Sequence, residues 1–502
     1  MKNKRIRGLW AILGAAALLS ACAAAATEPG ASGAESAPPA FSAPAQGTVS
    51  GDGDAPAPAQ GTVSGDANGD GGAAQASVEP AATGAESAET FDFSNRDLSA
   101  AWDADSAVFI KLNGASASCD SPSVDVSGSG AVISAAGTYV LSGSLDNGSV
   151  VVDAGKEDKV QIVLNGASVR SDDFAAVYVK QADKVFVTLA DGTENALSNG
   201  GSFRAVDENN ADGVIFSKGD LTLNGNGKLT VDSPAKHGIV SKDDLAVAGG
   251  TYEITAAGHA LSGKDGVGIA DGTFAITAGK DGVHSGNDED PQKGNVYLAG
   301  GSLAIKAADD GITASGVLQI DGGSADINAL EGLEGNYIRI NGGSVKIYAA
   351  DDGINAAAKS GAYAPTIEIN GGEIDVEVGP GDTDGIDANG NLVITGGAVN
   401  VTGNSAFDID GTITFTGGTV TVNGQKVDAI PNQMGGGGRM GRGFGGGQDG
   451  GHTPGAGFPR GAKRGTPGAN GAFDGGMKDG QRRNGTQPPD GITSPTLKTE
   501  AV

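Results

Sequence analysis

The chain has 502 residues, a formal net charge of −28, 87 glycines and 5% aromatic residues. That charge balance excludes a nucleic-acid partner. So much glycine excludes a mainly helical fold, because each glycine inside a helix costs about 1 kcal/mol relative to alanine.

Residues 1–22 read as an export signal. Lys2, Lys4, Arg5 and Arg7 form a basic start, and residues 8–18 form an apolar run too short to span a bilayer. The stretch "LSAC" at 19–22 resembles a bacterial lipobox. By that resemblance Cys22 becomes the lipidated first residue of an exported chain, anchored to the membrane and facing the cell exterior. The alternative is an ordinary signal cleaved near Ala21. The other cysteine, Cys119, leaves no scope for a disulfide framework. Residues 23–90 are Ala, Gly, Ser, Pro and acids, with "APAQGTVSGD" occurring at 43–52 and again at 57–66. With so little aliphatic content they are expected to be a disordered spacer. Residues 431–502 are expected to be a disordered, Gly-rich and mildly basic tail.

Residues 91–430 carry a repeat. Gly-Gly or Asp-Gly pairs recur at 249–250, 271–272, 300–301, 322–323, 342–343, 371–372, 396–397 and 417–418. A short run with period-2 alternation flanks each pair, such as "VLQI" before and "SADINA" after. Units of 20–29 residues cannot bury a face alone, so each must stack on the next. The predicted fold is all-β: a single-stranded parallel β-helix with glycine at corners that need positive φ. A β-sandwich would show hairpin turns instead. About a dozen rungs at roughly 4.8 Å give a rod of about 55–60 Å. Two units are longer, at 284–295 and 355–365, both just after one recurring position. Their insertions should therefore share a side of the rod.

That position is acidic. Aligned on the glycine that follows (Ala260 after His259), the column reads His237, His259, Asp281, Asp310, Glu331, Asp352, Asp384. Asp309, Asp351 and Thr383 precede it, and a second line stands three residues on: His284, Thr313, Glu334, Asn355, Asp387. The last repeat slips to Asp408 and Asp410. Carboxylates one rung apart repel by about 3–4 kcal/mol at an effective dielectric of 20. They must face water freely or share cations, and converging oxygens suit Ca²⁺. The expected metal ligands are Asp281, Asp309, Asp310, Glu331, Glu334, Asp351, Asp352, Asp384 and Asp387. Three bland alternatives stand beside this: a solvated acidic edge, Asp-Gly as a turn dipeptide, and histidines that merely sit in surface turns. His237, His259 and Asp281 together could also take a transition metal.

The segments "IFSKGDLTLNGNGKLTV", "HGIVSKDDLAVAGG" and "EGLEGNYIRINGG", with the serial "DGI/DGV" and "GG" rungs, resemble the bacterial carbohydrate-binding-domain proteins of the acid-sugar-binding β-helix type over about 91–425. The resemblance implies an exported, right-handed, pectate-lyase-like parallel β-helix. It also implies bound calcium held by the "DDGI" and "DGID" acids, and binding of polygalacturonate-like or cellulose-like polysaccharide without proven lyase activity. His237 and His259 depart from the "DGI" pattern. The expectation is a calcium-dependent, non-catalytic, monomeric polysaccharide binder at the cell surface. Tyr297, Tyr337, Tyr348 and Tyr363 offer stacking faces, and Lys306 a cation near the acids. Two alternatives remain open. A calcium-dependent lyase would need a base beside the metal, and Arg339 is the one arginine in the acid-rich stretch. In a structural or adhesive protein, calcium would only staple the rungs.

Overall fold

Inward-facing aliphatic residues at matching points of successive repeats are what stack the chain. In the computed structural model, which describes residues 91–432 except Ser127 and Asp382, Val231, Ile254, Ile276, Ile305, Ile327, Ile347, Val376 and Val401 pair in that order along one face. None is more than 3% exposed. Each such side chain stabilises the fold by about 1.5–3 kcal/mol on burial, and the line can be continuous only if every rung keeps the same register. The export signal with Cys22, the spacer up to residue 90 and the tail from 433 lie outside the described residues.

Each turn of the chain contributes strands to three faces, all joined by parallel pairing. On the first face, His237–Ser241 pairs with Leu261–Gly263, which pairs with Val283–Ser285 and then with the start of Ile312–Ile320. The second face holds Asn295–Leu298, and the third Ser302–Ala307, Ser324–Ala329 and Ser344–Ala349. The third face is 13 strands deep among the described residues, from Val108–Gly114 to Thr419–Val422. This is the parallel β-helix that the repeat predicts. Within the core, Tyr252 and Phe274 stack at 5.0 Å on adjacent rungs. Short antiparallel strands cover both end edges: Ala117–Ser118 on the first rung and Gln425–Val427 on the last.

The glycines do two different jobs. In the Gly-Gly corners the second glycine has positive φ, as at Gly323 (78°). The glycine after the acid column does not. Its constraint is space: a Cβ on Gly353 would lie 2.2 Å from Val376 Cγ1 and 2.5 Å from the Gly385 carbonyl oxygen of the next rung. The expectation that glycine marks positive φ is corrected at this column to a requirement for close approach.

An element with no repeat signature lies across the second face. Residues 91–102 run back against the winding direction of the rungs. Phe91 covers Gly268, where a Cβ would sit 2.4 Å from its ring. Arg96 stacks over Phe186 at 4.6 Å. Asp97, fully buried, accepts from Lys184 Nζ at 2.8 Å and from Thr222, and Trp102 packs on Val140 and Val163.

Candidate functional site

The corner between the third and first faces carries the acid column. Its register is fixed by backbone bonds from the glycine of one rung to the column residue of the next. Gly238 N–H donates to His259 O at 2.9 Å, Gly282 to Asp310 O at 2.9 Å, Gly311 to Glu331 O at 2.8 Å, Gly332 to Asp352 O at 3.1 Å and Gly353 to Asp384 O at 2.9 Å. The second line pairs directly, His284 with Thr313, then Glu334, Asn355, Asp387 and Asp408. Asp408 thus belongs to the second line. Ser405, opposite Asp384, continues the first, and Asp410 lies beyond the strand Ser405–Ile409.

Part of the recurrence is structural. Column side chains accept the backbone N–H of the column residue one rung on: His259 N–H to His237 Nδ1 at 3.0 Å, Asp310 N–H to Asp281 Oδ1 at 3.4 Å, Asp384 N–H to Asp352 Oδ1 at 2.9 Å. Backbone donors left by the rung ladder need acceptors, and any acceptor-bearing side chain would serve.

Capping does not explain how closely the carboxylates crowd. Oxygens of Asp281, Asp309 and Asp310 lie within 4.8 Å of one another, as do those of Asp310, Glu331 and Glu334. Burial, and then a hydrogen bond shared with Glu334, push Asp310 up to about 8, although Thr313 Oγ1 donates to it at 2.7 Å. Burial, with Glu334 and Asp352 charges beside it, raises Glu331 to about 7. Asp352 rises to about 6 and Asp387 to about 7, again mainly through burial. Asn355 Nδ2 donates to Glu331 Oε2 at 3.0 Å, while its buried Oδ1 meets no donor. Carboxylates that resist ionising, together with an orphaned amide oxygen, form an oxygen set that fits a hard divalent cation. Lys359 reaches in from the long loop to pair with Glu334. Of the remaining expected ligands, Asp309 is exposed and Asp351 and Asp384 are half-buried on the same corner.

The other expected contacts divide. Lys306, Asn328 and Tyr348 succeed one another across three rungs of the third face, each pointing outward just before the acid corner. Tyr348 is 44% exposed. Tyr297 and Tyr337 lie on the second face instead, donating to Asp321 (2.8 Å) and Glu368 respectively. Tyr363 lies in the second long loop, with its hydroxyl 3.3 Å from Gln292 in the first. The two insertions do share a side and touch, Ser360 Oγ donating to Pro291 O at 2.9 Å. They leave the far end of the three-residue first-face strands, so the first face lies between them and the acids.

Sequence reasoning missed a second acidic corner, between the first and second faces. Asp220, Asp243 and Asp244 bring oxygens within 4.8 Å of one another. Burial, and then a hydrogen bond shared with Asp265, push Asp243 to about 7. The signal was legible as "SKGD", "SKDD" and "GKDG" at 217–220, 241–244 and 263–266.

Comparison with known proteins follows the rungs. A carbohydrate-binding domain-containing protein of Acetivibrio thermocellus is 36% identical over 122 residues, which are 24% of this chain and 43% of that protein. The chain thus spans less than half the length of that relative. The solved structure of the polysaccharide lyase-like protein from C. thermocellum, a gadolinium derivative, is 33% identical with a TM-score of 0.41, over 48% of this chain and 93% of that one. The model of one family matches residues 127–383 and 333–429, and the chain belongs to that family, the carbohydrate-binding domain-containing proteins.

Proposed function

We propose that this chain is a non-catalytic, calcium-dependent polysaccharide-binding protein, exported and held at the cell surface through Cys22, whose ligands are uronate-rich or cellulose-like polymers. The observation that carries the reading is the acid corner with its two lines of oxygens. A strongly acidic protein repels a polyuronate. A Ca²⁺ ion shared by Asp310, Glu331, Glu334 and the Asn355 amide oxygen would reverse the local sign, and a uronate carboxylate would complete its shell. Lys306 and Tyr348, beside that corner, would supply a charge and a stacking face. What supports a non-catalytic reading is that Arg339 lies on the second face, away from the acid corner, with Nε 2.9 Å from Glu368, and that Lys359 at the corner is paired with Glu334.

The test replaces Asp309, Asp310, Asp351 and Asp352 by Asn, and measures retention on immobilised polygalacturonate at fixed calcium in the millimolar range. Plain electrostatics predicts that a less acidic chain binds better. A calcium bridge predicts that it binds worse. Unchanged or stronger retention in a variant with a native β-type spectrum sinks the bridge.

A further inference from the structure

The chain has four histidines, and three of them converge at the head of the acid corner. His237 and His259 stack at 4.8 Å with their rings 2° apart, and His259 stacks on His284 at 4.2 Å. The trio suggested by sequence, His237 with His259 and Asp281, is not the set the fold assembles. His237 lies outside the group of donors that fall within 4.8 Å of one another, which is His259, Asp281 and His284. The histidine that turns to Asp281 is His284, from the second line.

We propose that His259, Asp281 and His284 form a binding site for a divalent transition ion of the zinc class. Asp281 Oδ2 lies 3.1 Å from His259 Nδ1 and 2.7 Å from His284 Nδ1. Metal–ligand bonds of about 2.0–2.1 Å place neighbouring donors about 2.9–3.4 Å apart in octahedral or tetrahedral shells. Asp281 therefore stands near coordination spacing from each histidine, and all three donors lie within 4.8 Å of one another. The backbone N–H of Asp281 also points at His259 Nδ1, at 3.3 Å. That bond is given up when His259 Nδ1 ligates the ion, because the nitrogen has one in-plane lone pair.

Donor chemistry sets the class of ion. Calcium takes oxygen ligands, whereas two imidazoles with one carboxylate suit zinc, cobalt or nickel. Asp281 is buried, with its side chain 5% exposed, and His259 is 12% exposed, so the anionic ligand is shielded from water. The His284 side chain is 31% exposed, which leaves the open coordination positions toward solvent, as in sites that keep a place for an exogenous ligand. His237, stacked behind His259, orients its ring without touching the ion. This site does not depend on calcium binding farther down the corner.

The test uses the full chain, stripped of metal with chelator. Zn²⁺ is titrated calorimetrically in the presence of millimolar-range calcium, and Co²⁺ is titrated in parallel for its visible ligand-field bands. One equivalent of Zn²⁺ should bind that calcium does not displace. His284→Ala and Asp281→Asn should each weaken binding by about tenfold or more and abolish the Co²⁺ bands. His452→Ala, a control for the remaining histidine, should leave both signals unchanged. His284 is partly exposed, so its variant should fold, and its melting curve checks this. The proposal is overturned if no saturable Zn²⁺ binding occurs, if calcium displaces the ion, or if folded His284→Ala binds as tightly as the parent.

Discussion

Replacing Asp310 by Asn separates a cation rail from an acidic edge, because the sign of the effect should invert with the buffer. In chelator, the folded chain holds Asp310 at about 8 against an ordinary 3.8, with burial and Glu334 as causes. A group whose pKa is raised on folding favours the folded state below its unfolded pKa, and that advantage is lost as pH rises through the folded value. The parent should therefore lose stability between about pH 4 and pH 8, and the Asn variant should lose less. The size follows from the rung spacing. One like charge at about 4.8 Å costs about 3–4 kcal/mol at a dielectric of 20 and about 1 in water. Asp310 is 8% exposed but opens onto a solvated corner, so about 2 kcal/mol is expected, or roughly 4 °C in melting temperature. At pH 8 in chelator the variant should melt higher than the parent, and the gap should close toward pH 4. In saturating calcium it should melt lower, because an amide is the weaker ligand. Thermal melts followed by circular dichroism at pH 5 and pH 8 measure all four states. A shift of the same direction in chelator and in calcium refutes the reasoning.

Two further perturbations test the scaffold. Asp97→Ala leaves Lys184 partly buried without its nearest carboxylate and should cost about 3–5 kcal/mol by denaturant unfolding, whereas Asp97→Asn, which keeps a hydrogen-bonding group, should cost less. A loss below 1 kcal/mol for the alanine variant would mean that residues 91–102 lie loosely on the second face. Gly353→Ala forces a methyl group against Val376 and the Gly385 carbonyl and should cost about 1–3 kcal/mol. A neutral result would show that the rungs can separate at that corner.

The register of the acid column was legible because glycine punctuates every repeat and parallel stacking preserves phase. Alignment on "DGI" and the backbone bonds from Gly311, Gly332 and Gly353 therefore name the same neighbours. The reason for that glycine was not legible. Positive φ and close approach leave the same residue in the sequence, and only the distance to Val376 separates them. The partnership of His284 with His259 was hidden because it joins two columns one rung apart, and alignment within a column does not reveal side-chain reach. Residues 91–102 were illegible for a different reason. Their contacts, such as Asp97 with Thr222 and Asn224, span more than 120 residues and follow no period.

The course of those residues decides how the rod meets a pulling force. The chain joins the scaffold at Phe91, over the rung of Gly268, and works back past Arg96 on Phe186 to Trp102 on Val163 before the first rung strand begins at Val108. A load applied upstream of Phe91 therefore does not reach the rung ladder first. It lifts the strap at its far end and detaches it contact by contact, Phe91 before Arg96, Arg96 before Asp97, with Trp102 last. Peeling breaks one contact at a time, whereas shearing a rung would break a whole row of parallel hydrogen bonds together. The buried pair of Asp97 and Lys184 then acts as the catch in the series, and the rungs stay wound until the strap is gone.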